Sequence, residues 1–185
     1  MKLKYYPFLT LIFTCNFLMG QSYLLSQDDL SLFGMKLMDD ARDHLTLEEL
    51  NSKITDPETA DLFYRVPISS KKNANYETMF VIIKPDYTIH NIVGLQEFTS
   101  LNNCKEVLKT FASKFEDKYS IAMRKTERVH TSFKNHLYQA NIYEGGSFRF
   151  QCHESFDNNY DHDFGVIFQT SAYAKSVNRF YDEGF

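Results

Sequence analysis

Tryptophan is absent from the 185 residues, and glycine (7), proline (4) and cysteine (3) are scarce. So few glycines and prolines exclude a collagen-like, elastic or low-complexity chain. Positive charge is not in excess either. Lys and Arg number 20 against 24 Asp and Glu, a net charge of −4, which excludes a polycationic nucleic-acid binder. No nucleic-acid partner is expected. Phosphate-cradling glycine patterns, GxSxG and HExxH are missing, so no motif implies a cofactor. What is present is a globular composition, 43% hydrophobic and 24% charged, with 17 Phe and 12 Tyr to build a core.

The first residues, MKLKYYPFLTLIFTCNFLMGQS, place Lys2 and Lys4 before an apolar run from Phe8 to Met19, followed by Gly20 and Ser22. A basic start, a short apolar stretch and small residues at its end make the pattern of a secretory signal peptide, residues 1–22. A run of about a dozen residues falls short of the roughly 20 that a membrane-crossing helix needs. No later segment is long and apolar enough, so no transmembrane span is expected in the mature chain. Cleavage would remove Lys2, Lys4 and Cys15 and leave a more acidic product. A lipid-bearing Cys15 fits less well, because it follows Phe13 and Thr14 rather than small residues.

Residues 23–185 are read as a single α+β domain. It comprises an antiparallel β-sheet with one face packed on a long amphipathic helix at about 103–119, plus a short N-terminal helix. Thr46 and Glu49 have capping-box spacing, and Asp56-Pro57 is expected to end that helix. The run from Leu62 to Val66 reads as a strand at the sheet's edge, stopped by Pro67. Tyr76 to Lys84 and Thr88 to Gln96 form a hairpin around Pro85-Asp86, and Gly94 suggests a bulge or a close approach by another backbone. Asn103 is the expected helix cap, followed by an apolar stripe of Cys104, Val107, Leu108, Phe111, Phe115 and Tyr119. His136 to Tyr143 and Phe148 to His153 read as strands joined by a glycine turn, and Gly165 to Tyr173 as the last strand. On Phe148 to His153, Phe148, Phe150 and Cys152 share one face and Arg149 and Gln151 the other. The tail from Ala174 is either a terminal helix or frayed.

In an exported chain Cys104 and Cys152 are expected to pair as a disulfide, closing a long loop. A free Cys104 at a helix N-terminus would instead be an activated nucleophile, a reading that competes with the bridge. Asp157, Asn159 and Asp161 match the start of a calcium loop, but His162 and Phe168 stand where its glycine and bidentate glutamate belong. The three are weak metal candidates, and a solvated acidic turn is the plainer reading. Arg124 to His136 is locally basic and reads as a solvated loop or strand.

No catalytic residue is assigned. The expected function is an exported binding or structural module, periplasmic or secreted, whose sheet face or edge engages another exported protein, a cell-envelope component or a small ligand. The alternatives are a hydrolase with its site on the loops around His90, Cys104 or His153, and a small outer-membrane β-barrel. The long helix argues against the barrel, whose strands follow one another without a helical interruption.

Overall fold

The computed structural model describes residues 30–59, 62–129, 133–142, 146–156 and 162–183. The expected leader, residues 1–22, and the calcium-loop candidates Asp157, Asn159 and Asp161 lie outside the described residues. Strands β1 (Ile54–Thr55), β2 (Tyr64–Pro67), β3 (Thr78–Ile83) and β4 (Ile89–Phe98) precede the long helix α2 (Leu101–Tyr119). Strands β5 (Arg124–Val129), β6 (Phe133–Asn141), β7 (Ser147–Ser155) and β8 (His162–Gln169) follow it. A short helix α1 (Leu47–Asn51) comes before the strands and α3 (Ser171–Glu183) after them. All eight strands form one antiparallel sheet in the order β1-β2-β3-β4-β8-β7-β6-β5. The fold is α+β, with strands, helix and strands in the expected order.

Local chemistry explains most of the boundaries. Thr46 Oγ1 accepts from Glu49 N, and the Glu49 carboxylate accepts from Thr46 N at 2.8 Å, so both ends of the capping box are made. Helix α1 nevertheless ends at Asn51, and β1 intervenes before Asp56-Pro57. The proline therefore follows a strand rather than closing the helix. Helix α2 begins two residues earlier than Asn103 suggests, because Ser100 is its cap and accepts from Asn103 N. Strand β8 ends at Gln169, and Tyr173 belongs to α3 rather than to the last strand.

One sheet face is dry. Cys104, Leu108, Ala112 and Phe115 of α2 are buried on it, against Phe148, Phe150 and Cys152 of β7 and Phe164, Val166 and Phe168 of β8. Phe115 stacks on Phe148 at 4.7 Å and meets Phe150 edge-on at 5.8 Å. Phe111, partly exposed, still puts its ring 5.0 Å from Phe164. Such aromatic contacts add to the burial that holds helix to sheet. The N-terminal segment extends this layer over β4. Leu32 and Met35 exchange backbone hydrogen bonds around Phe33-Gly34, both at positive φ. That turn lays the Phe33 ring on Gly94, where a Cβ would stand 2.5 Å from Phe33 Cζ. The glycine thus admits an aromatic ring, not another backbone, and the register shift of the hairpin falls at Ile82/Ile83 instead.

Candidate functional site

The opposite face of the sheet is built from alternate residues of the same strands, and register turns them into rows. One row runs Arg124, Gln139, Arg149, Ile167, Val93 and Phe80 across β5, β6, β7, β8, β4 and β3. The next contains Leu137, Gln151, Gly165 and Leu95. On the other side of the first row, Ser147, Gln169, Asn91 and Ile82 stand in line. These rows floor a cavity of about 750 Å³, walled on one side by Tyr173, Ala174, Val177 and Asn178 of α3. That volume lies within the usual range for small-molecule sites, on the order of 300–1,000 Å³.

Under α3 the face is sealed. Phe63, Ile82 and Tyr173 form a small apolar cluster, and Phe63 meets Tyr173 edge-on at 5.4 Å. The Tyr173 hydroxyl donates to Asp56 Oδ2 at 3.2 Å, and Arg65 donates to Asp56 Oδ1 at 3.0 Å. Burial pushes the Tyr173 phenol far above its ordinary pKa, and the carboxylates of Asp56 and Glu58 push the same way. It is a fixed hydrogen-bond donor rather than an acid. His90 hydrogen-bonds Thr170 Oγ1 through Nδ1 at 3.0 Å, and burial, then the Lys84 ammonium, lower its pKa to about 4.

Away from α3 the floor is wet and carries charge. Arg149 lies mid-sheet with its Nε buried and without a hydrogen-bond partner. Burial, then the like charge of Arg128, lower its pKa to about 10. Arg65 also lines the cavity, but it is paired with Asp56 and lies 4.5 Å from the centre of the Phe80 ring. His153 reaches the cavity from β7 and hydrogen-bonds Asn135 Oδ1 at 3.0 Å; burial lowers its pKa.

The sequence-level candidates are scattered. Cys104 and Cys152 are fully buried on the helix face, with sulfurs at bonding distance and Cα atoms 5.9 Å apart, within the span of a disulfide. His153, the next residue, points to the other face. A Cys–His pair is therefore not assembled by these residues. The basic stretch is divided between the two faces. Arg124 and Arg128 stand in the cavity-side rows, whereas Lys134 and His136 bond Glu127 at 2.8 and 2.9 Å. His136 also meets Glu154 at 2.7 Å. Among the described residues no group of three His, Cys, Asp or Glu gathers in metal-binding proximity.

The cavity itself escaped the sequence reading. Its signal was the polar half of the alternation in β7, Ser147-x-Arg149-x-Gln151-x-His153, which taken alone describes any solvated strand face. No family model, no curated protein and no solved structure matches the chain.

Proposed function

We propose that the chain is an exported binding module that holds a small ligand in the cavity on the face of the sheet opposite α2. The observation that carries this reading is the asymmetry of the sheet. One face is filled by a helix, while the other keeps a concave, mixed polar and apolar floor beneath only part of α3. Export is supported by the leader-like first 22 residues and agrees with a Cys104–Cys152 pair at disulfide distance, since oxidising compartments are where such pairs persist. The long helix on one face and the linear order of the sheet favour a globular domain over a barrel.

The hydrolase reading draws less support. His153 is the histidine at the cavity; Ser155, two residues on in β7, is not among the lining residues, and Ser147, which is, stands six residues away, about 20 Å along the strand.

Amide and methyl spectra of the purified protein, titrated with a set of neutral and charged small molecules, test the binding reading. Shifts concentrated at Val93, Leu95, Leu137 and Ile167, and abolished by filling the floor with Gln151→Trp, are expected. Shifts confined to the edge strands, or unchanged in the filled variant, would overturn it. Intact mass of the protein recovered from the cell envelope or the medium tests export. The expected species lacks the first 20 to 22 residues, and a full-length cytoplasmic species overturns that part.

A further inference from the structure

We infer that the ligand of this cavity is a small organic carboxylate, its two oxygens held by the guanidinium fork of Arg149 and its apolar body lying over Ile167, Val93 and Leu95. The inference rests on the cavity reading above and adds the chemical class. The sign of the charge follows from the floor. Arg149 stands between Gln139 on β6 and Ile167 on β8, with a buried Nε that donates to nothing. Of the carboxylates on this side, Asp56 is bonded to Arg65 and Tyr173, and Asp163 stands two rows from Arg149, opposite His153. Glu58 also lines the cavity and attracts Arg149, against the repulsion from Arg128. Arg149 as a whole is half-buried, so its charge is partly desolvated, and a ligand that covers the remainder must supply the opposite charge.

The shape of the charge follows from arginine. Its planar fork meets a carboxylate through two parallel hydrogen bonds. A phosphate dianion would need a second cation beside the first. Arg128 is exposed on the edge strand, two rows from Arg149, and Arg65 is already neutralised. The rest of the ligand is set by the remaining floor. Ile167 and Val93 continue the Arg149 row as apolar surface, both almost fully buried. In the adjoining row Gly165 has no side chain, so Gln151 and Leu95 lean over it; a Cβ there would stand 3.1 and 3.2 Å from them. An apolar chain fits that low strip over Ile167, Val93 and Leu95 beside the cationic head site.

Calorimetric titration of the purified protein with octanoate, octanol and octyl phosphate separates the possibilities. Octanoate is expected to bind at least tenfold more tightly than either analogue. Arg149→Met is expected to lose at least tenfold in octanoate affinity while keeping its affinity for octanol. Without ligand its melting temperature should equal or exceed that of the parent, because a half-buried, unpaired charge has been removed. Arg149→Lys keeps the charge but not the fork, and should weaken octanoate several-fold; it also serves if the methionine variant fails to fold. Octanol binding as tightly as octanoate would overturn the carboxylate inference and leave the cavity reading standing. Octyl phosphate binding as tightly as octanoate would overturn it too. Unchanged octanoate affinity in Arg149→Lys, with a lowered melting temperature, would make Arg149 structural. Failure of all three probes to bind would overturn the carboxylate inference, while shifts at Val93, Leu95, Leu137 and Ile167 with other small molecules would leave the cavity reading standing.

Discussion

The two faces of one sheet obey different rules. On the α2 side, Phe115, Phe148, Phe150 and Phe164 interlock beside a pair of cysteines, with His136 and its carboxylate partners at the margin opposite Cys152. On the other side the same strands present Arg149, Gln151, Gln139 and His153 to a cavity. Neighbouring residues of a single strand, Phe150 and Gln151, therefore sit in unrelated environments because the strand alternates. Stability is concentrated on one side, and the opposite side carries the cavity proposed to bind a ligand.

That division can be attacked directly. Phe150→Ala should cost about 3–5 kcal/mol through lost burial and the cavity left behind, whereas Gln151→Ala should stay within about 0.5 kcal/mol. Denaturant unfolding of both variants checks the contrast, and equal costs would break it. Replacing both Cys104 and Cys152 by alanine should cost about 2–4 kcal/mol, since the 48-residue separation closes a long loop. The same loss should follow reduction of the parent protein.

A subtler effect distinguishes the sealed part of the cavity face, under α3, from the wet part. His90 is held neutral, with a pKa of about 4 against 6.5 when unfolded. Its contribution is complete above pH 6.5 and is lost as pH falls through 4, because the unfolded chain takes up the proton first. The His90 ring resonances should thus titrate near pH 4, and a midpoint above 6 would show the seal to be open. Smallest is a reference on neither face. Thr46→Ala should cost about 1 kcal/mol by removing the α1 cap. Glu49 is opposed by its own burial but held at a pKa of about 2 by hydrogen bonds from Thr46 N, Ser69 N and Lys72. Its contribution is present above pH 4.5 and lost toward pH 2, so the acid limb of the stability profile should flatten in Glu49→Gln.

Much of the helix face was legible in the sequence, because its signals are local or periodic. The stripe on α2, the hairpin of β3 and β4, and the alternation that aims Cys152 at Cys104 each follow from a few adjacent residues. Ser100 was missed as the α2 cap because three polar residues, Ser100, Asn102 and Asn103, compete for one position. The Phe33 contact on Gly94 joins segments about 60 residues apart, and no local pattern announces it. The cavity was hidden for a related reason. Arg149, Ile167 and Val93 become neighbours only through the pairing of β7 with β8 and β8 with β4. Until that register is known, each is one polar or apolar position in a strand.

The central place of β8 has a further consequence for the order of folding. Among the described residues, β8 is the strand whose ladders link the four strands before the helix to the three others that follow it. Neither half can be joined to its sibling before β8 is in place, and such distant pairing slows folding.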